Sequence, residues 1–143
     1  MIYTPLTRKA MILCYRGHRD QVDKSGVPYV FHPFHVAEQM DDEISCAVAL
    51  LHDIVEDTPC TVDDLRAQGF PDAVCDAVAL LTHRDGEAYL DYVRRVKENP
   101  VAAKVKLADL RHNSDPTRLL SPTPADLARM DKYRAAIALL LEK

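Results

Sequence analysis

His52-Asp53-Ile54-Val55-Glu56-Asp57-Thr58 closes the apolar run Ala47-Val48-Ala49-Leu50-Leu51 and places five ionisable or hydroxyl side chains where a core helix would carry aliphatics. A His-Asp pair at the buried end of a helix can turn an imidazole nitrogen and a carboxylate oxygen toward one divalent cation. Glu56 follows His52 by four residues and Asp57 follows Asp53 by four, so helical spacing lays each later acid on the face of an earlier residue. The heptapeptide reads as a candidate metal pair followed by a candidate acid/base pair, Glu56 and Asp57. Taken alone it is equally a solvated helix end capped by Asp57 or Thr58, and the rest of the chain decides between the two.

Upstream, Thr4-Pro5 starts a helix by a capping hydroxyl followed by proline, with Ala10, Leu13 and Cys14 on its apolar face as far as about Arg19. Asp23-Lys24-Ser25-Gly26-Val27-Pro28 is a loop by its breakers, and Tyr29-Val30-Phe31 reads as extended coil. His32-Pro33 opens a second helix. Asp41-Asp42 cap a third, which runs through about Val55 until Pro59 ends it. Downstream, Thr61-Val62-Asp63-Asp64 resembles a capping box before a short helix stopped by Gly69. Phe70-Pro71 begins the next helix, and Glu87 to Glu98 is amphipathic. Asn99-Pro100 restarts a helix that carries the polar intrusion Lys106-Leu107-Ala108-Asp109-Leu110-Arg111-His112-Asn113. The last helix spans Pro124 to Leu141, with Leu127, Met130, Tyr133, Ile137 and Leu140 along one stripe. The pattern is an all-α single domain of about eight helices.

At 143 residues the chain can bury a substantial core, and with three Phe and no Trp that core must be mostly Leu, Val, Ala and Ile. The net charge of −4 and the absence of a basic run exclude a nucleic-acid polymer as partner. No signal peptide and no apolar run near the roughly 18 residues of a membrane span is found, so no membrane contact is expected. Cys14, Cys46, Cys60 and Cys75 lack C-x-x-C spacing, and three of them sit in apolar helical patterns. They read as reduced thiols of a cytoplasmic protein.

Asp109 lies among Val105, Ala108 and Leu110, and a carboxylate in that setting needs a partner. That partner is Lys106 or Arg111, or else a metal. The second choice gathers His32, His52, Asp53 and Asp109 around one cation. Two imidazoles and two carboxylates suit Mn²⁺, Fe²⁺ or Zn²⁺ better than a thiolate site or a calcium cage would. Such an ion keeps a position for water and polarises a phosphoryl oxygen. Lys106, Arg111 and His112 are candidates to neutralise phosphate, as are Arg16 and His18 at the end of the first helix, with Lys24 in the loop and Arg84 a weaker choice.

Four segments resemble the HD-domain metal-dependent phosphohydrolases, and more narrowly the hydrolase domain of RelA/SpoT alarmone enzymes and the small alarmone hydrolases. They are Gly26-Val27-Pro28-Tyr29-Val30-Phe31-His32-Pro33, Leu50 to Thr58, Val105-Lys106-Leu107-Ala108-Asp109, and Arg118-Leu119 with Lys132-Tyr133-Arg134. The resemblance implies an HD fold and one divalent metal on His32, His52, Asp53 and Asp109. The metal it implies is Mn²⁺ first, with Fe²⁺, Zn²⁺ or Mg²⁺ as alternatives. It implies removal of the 3'-pyrophosphate from (p)ppGpp by metal-activated water, with Glu56 and Asp57 acting on that water and Asn113 touching the substrate. A synthetase domain is not expected in a chain of this length. Two positions depart from the pattern. Asp23 stands where these hydrolases usually carry an Arg that packs on guanine, and an acid does not stack as a guanidinium does. Leu110-Arg111 reverses the family's Arg-Leu order. The alternative readings are therefore an HD phosphatase for another nucleotide phosphate (the 2'-phosphate of NADPH or a nucleoside monophosphate) and a non-catalytic nucleotide-binding module.

Overall fold

The chain begins with a reciprocal cap. Thr4 Oγ1 accepts from the Thr7 N–H at 3.1 Å and Thr7 Oγ1 accepts from the Thr4 N–H at 2.9 Å, which starts helix α1 (Pro5–His18). The computed structural model describes residues 1–143. After α1 come α2 (Phe31–Glu38), α3 (Glu43–Leu51), α4 (Ile54–Asp57), α5 (Val62–Ala67) and α6 (Asp72–Leu81). Then follow α7 (Tyr89–Lys97), α8 (Pro100–Asn113), a 3-10 turn at Pro116–Arg118, and α9 (Pro124–Leu141). The all-α expectation is met, and strand pairing is limited to one bridge between Val22 and Pro28.

Helix α3 is the axis of the packing. Every residue from Ser45 to Leu51 is buried, and α1, α2, α6 and α8 lie against it. A helix so surrounded loses its polar face, which is why Ala47-Val48-Ala49-Leu50-Leu51 reads as a continuous apolar run. Leu50 and Leu51 are fully buried, and each contributes about 1.5–3 kcal/mol to the folded state by the usual transfer scale. Helix α9 covers α8 and α7 with Met130 and Ala136. Leu127, expected on the same stripe, is instead 54% exposed, while Asp126 and Met130 on the same turns are buried. No helix is long and apolar enough to cross a membrane.

The structure corrects two boundaries, both at the polar centre. The third helix was expected to continue through about Val55, but α3 stops at Leu51 and α4 starts at Ile54. At the break Asp53 takes φ −104° and ψ 0°, and the His52 Nδ1–H donates to the Ala49 carbonyl at 2.5 Å. The ring thereby occupies a carbonyl at the end of α3 that the break would otherwise leave bare. The second correction is that α2 begins at Phe31, ahead of His32, and Tyr29-Val30 forms the turn that leads into it. Pro33 falls at the third helical position, where an N–H has no intrahelical partner in any case.

Gly17 lets α1 approach the broken segment. A Cβ there would stand 2.3 Å from Ile54 Cδ1 and 3.2 Å from Thr58 Cγ2, and Ile54 is fully buried. Ala in place of helical Gly ordinarily stabilises by about 0.5–1 kcal/mol. Here overpacking reverses the sign, and Gly17→Ala is expected to destabilise by about 1–3 kcal/mol. Thermal denaturation checks this, and a raised Tm would refute the close approach.

Candidate metal centre

Three parts of the fold each deliver side chains to one point. His32 comes from the first turn of α2, His52 and Asp53 from the break between α3 and α4, and Asp109 from the middle of α8. His32, His52 and Asp109 are buried and Asp53 is half-buried. One donor atom from each of the four residues lies within 4.8 Å of the others. His32 Nε2 is 2.8 Å from Asp109 Oδ1 and 3.8 Å from Asp53 Oδ2. His52 Nε2 is 3.0 Å from Asp53 Oδ2 and 3.4 Å from Asp109 Oδ1.

The donors fit a divalent cation by their own geometry. A carbonyl only accepts, so the contact with Ala49 places a proton on His52 Nδ1, and a neutral His52 presents the lone pair of Nε2 to the centre. That buried Nε2 makes no hydrogen bond within the chain despite the carboxylates beside it. With the carboxylates of Asp53 and Asp109 beside it, this nitrogen is completed either by a proton or by a metal ion.

A surrounding shell holds each donor. Tyr29 donates its hydroxyl to Asp53 Oδ2. Lys106 Nζ lies 2.8 Å from Asp109 Oδ2, and Asn113 Nδ2 donates to Asp109 Oδ1 at 3.0 Å. Burial by itself would hold the His52 imidazole down, but Asp53 and Asp109 outweigh it and push its pKa well above the usual value. Burial would likewise raise Asp109, yet Lys106 and the two imidazoles keep it well below the carboxylate range. Asp53 is lowered in the same way, chiefly by His52.

The other residues singled out by the sequence fall in different places. Glu56 and Asp57 lie outside the four-residue group, on the short helix α4. The Glu56 carboxylate accepts from the His83 backbone N–H. Partial burial, then the charges of Asp53 and Glu56, push Asp57 up to about 6. His112 Nδ1 is 2.7 Å from His32 Nδ1, and burial followed by the Arg118 and His32 charges lowers His112 to about 3. The ammonium of Lys106 is spent on Asp109, with Tyr92 below it.

Arg16 and His18 do not share a mouth. His18 continues the buried face of Thr7, Ala10 and Cys14, bonds Gln21 at 2.8 Å and lies behind the Tyr29 ring, while Arg16 is on the exposed side of α1. Arg111 and Arg84 are also exposed. The reversed Leu110-Arg111 order follows from burial, since position 110 is fully enclosed in the core and position 111 faces solvent.

Two cavities flank the centre. One, of about 420 Å³, is lined by Lys24, Ser25, Tyr29, Asn113, Arg118 and Tyr133 among others. The second, of about 400 Å³, opens beside His32, His35, His112, Phe31 and Leu120, and Arg118 and Tyr29 border both. Tyr29 and Arg118 are the residues that the sequence reading left without a role. Tyr29 lies in the turn just before α2, within the Gly26–Pro33 segment of the family resemblance, and that was its available signal. Arg118 belonged to a segment of the family resemblance, but nothing in that segment pointed to its contacts. Its Nη1 donates to the His112 carbonyl and to Asn113 Oδ1, both at 3.1 Å, and its Nη2 is 3.8 Å from Asp23 Oδ2. Asp23 also closes its own loop, accepting from the Ser25 and Val27 N–H groups at 2.8 and 3.0 Å.

The raised His52 pKa has a measurable sign. In the metal-free chain His52 keeps its proton up to that raised value, so an entering cation must displace it and affinity falls as pH falls. Mn²⁺ titrations between about pH 6 and 8 are expected to tighten with rising pH, by up to about tenfold per unit for each proton released. Calorimetry in buffers of different ionisation heat counts those protons, and a pH-independent affinity refutes the assignment.

No family model matches the chain. It is 38% identical over 125 residues to the GTP pyrophosphokinase of Streptomyces coelicolor, covering 78% of this chain and 15% of that protein. It is 34% identical over 121 residues to the bifunctional (p)ppGpp synthase/hydrolase SpoT of Escherichia coli, covering 74% of this chain and 17% of that protein. The chain thus spans only 15–17% of the length of these curated relatives. Among solved structures it resembles a metazoan orthologue of SpoT that hydrolyses ppGpp and plays a role in starvation responses. That likeness has a TM-score of 0.77 over 99% of this chain and 88% of the other, and at 24% identity it shows the fold. By fold and by sequence the chain is an HD-domain protein homologous to the RelA/SpoT (p)ppGpp synthase/hydrolase proteins.

Proposed function

We propose that residues 1–143 act as one metal-dependent phosphohydrolase domain that removes the 3'-diphosphate of (p)ppGpp in the cytoplasm, with Mn²⁺ as the cation. The observation that carries this reading is the four-residue donor group, with His52 Nε2 turned to the centre by its Nδ1 contact with Ala49, next to a cavity sized for one nucleotide. The pyrophosphokinase names belong to much longer relatives. Diphosphate transfer between two nucleoside triphosphates needs room and positive charge for both. The larger cavity is about 420 Å³, and its three acids, Asp23, Asp115 and Asp126, face three bases, Lys24, Arg118 and Arg129. That balance favours one nucleotide and hydrolysis.

A divalent cation on His32, His52, Asp53 and Asp109 supplies Lewis acidity to a phosphoryl oxygen and to water. The chain's own groups do the rest. Asp57, poised near pH 6, takes the proton of the attacking water, because an acceptor works best when its pKa approaches ambient pH. Glu56, next to Asp57 on α4 and fixed by the His83 N–H, shares proton handling. Water oxygen bonds to phosphorus, the P–O bond to the ribose breaks, and the ribose oxygen leaves with a proton. Tyr29 and Asn113 keep the Asp53 and Asp109 carboxylates aimed inward, and Asn113 and Lys24 face the nucleotide from the cavity wall.

One observation favours a second substrate class on the same centre. Asp23 is committed to its loop and to Arg118, so the cavity offers no free guanidinium at that position to stack on guanine. An HD phosphatase for another nucleotide phosphate has no such requirement.

A panel of ppGpp, NADPH and nucleoside monophosphates with Mn²⁺ separates these readings. Diphosphate release from ppGpp is the expected result. Turnover of another member selects the second class, and no turnover by metal-loaded protein selects a binding module. Asp53→Ala is expected to lose both metal and activity. Glu56→Ala and Asp57→Asn should retain metal and lose about 10²–10⁴-fold in kcat. Stoichiometric Mn²⁺ binding by Asp53→Ala would show the centre to be misassigned.

A further inference from the structure

The contact between His32 and His112 has an uncommon form. The two rings lie 5° from parallel with centroids 5.0 Å apart, and their Nδ1 atoms are 2.7 Å apart. Face-to-face rings sit closer than this. A centroid separation equal to one hydrogen bond plus two ring radii describes rings lying edge to edge in one plane. This is an in-plane N–H···N hydrogen bond, so one Nδ1 donates and the other accepts. His32 Nε2 points the other way, to Asp109 and the donor group. If that nitrogen is to offer a lone pair inward, the ring's proton must sit on Nδ1, and His112 Nδ1 must be the acceptor.

We propose that His112 is a positioning residue that fixes the tautomer of His32, and that it acts through its Nδ1 lone pair rather than by contact with substrate. The proposal rests on the metal reading above. A metal-ligating histidine usually gives its second N–H to a carboxylate, a backbone carbonyl or water, as His52 does to Ala49. For His32 the acceptor is another imidazole, and that ring is itself held. His35, one turn beyond His32 on α2, lies on its face at 3.9 Å and 22°. Arg118 grips the His112 carbonyl from below the helix end. The proton left on His112 then resides on Nε2. Two rings from α2 and one from α8 so form a file from the exposed His35 to the buried centre, with each orientation dictated by its neighbour.

Two variants separate hydrogen bonding from packing. The amide oxygen of Asn reaches the place of Nδ1, so His112→Asn keeps the acceptor and gives up the ring. His112→Phe keeps a flat ring against His35 and has no acceptor. Titration of wild type and both variants with Mn²⁺, followed by the EPR signal of the free ion, is expected to show His112→Phe weakened about 10–100-fold. His112→Asn is expected to recover most of that loss. A Phe variant that binds like wild type, or an Asn variant weaker than the Phe one, assigns the contact to packing and overturns the proposal. Nitrogen-15 imidazole spectra of Zn²⁺-loaded wild type give the second readout. Protons on His32 Nδ1 and His112 Nε2 are expected, and a proton on His112 Nδ1 overturns the proposal by itself. Wild type that binds no divalent ion defeats the metal reading as well, whereas failure of hydrolysis with metal binding intact defeats only the proposed reaction.

Discussion

A carboxylate buried in the middle of a helix organises this molecule. Asp109 is 3% exposed, and an isolated charge there is untenable. Lys106, Asn113, His32 and His52 surround it, and they come from α8, α2 and the end of α3. Removing one partner of such a group leaves uncompensated charge, which typically costs about 3–5 kcal/mol. The three helices are therefore held in register by polar atoms as well as by the apolar faces of α3.

The same cluster is short of positive charge. Asp53 and Asp109 bring two negative charges and Lys106 one positive, which leaves a net deficit when both imidazoles are neutral. In the metal-free chain His52 makes it good by holding a proton. On the proposed reading, a divalent ion bound there would replace that proton and leave the centre positive, which would suit a phosphoryl group. Protonation and metal occupancy are thus two ways to settle one electrostatic demand.

Around the centre, the chain has built its cavities from paired charges. Lys24 and Arg129 both reach Asp126, and Arg118 reaches Asp23. Ions already paired steer a charged ligand less strongly than free ones do, so on the proposed reading discrimination would fall chiefly on the shape of the cavity. Asp23, an odd residue when read beside the family pattern, is accounted for by its hydrogen bonds to its own loop.

Much of the architecture was legible in the amino-acid order. Thr4-Pro5, Thr61-Asp64, Asn99-Pro100 and Pro124 start helices in the structure where local hydrogen-bond chemistry puts them, because a cap and its partner lie within four residues. The donor types at His32, His52, Asp53 and Asp109 were also legible, since polar residues in apolar helical runs stand out. What the order could not express were the directions of those groups. The stop after Leu51 looks locally like continuing helix, and it depends on His52 turning back to Ala49 while Ile54 packs against Gly17. The roles of Tyr29, Arg118 and His112 depend on partners on other elements, up to 95 positions away in the case of Arg118 and Asp23 (118 − 23). Periodicity and capping are settled by neighbours along the chain. Tautomers, ion pairs and cavity walls are settled only once α2, α3 and α8 have closed on one another.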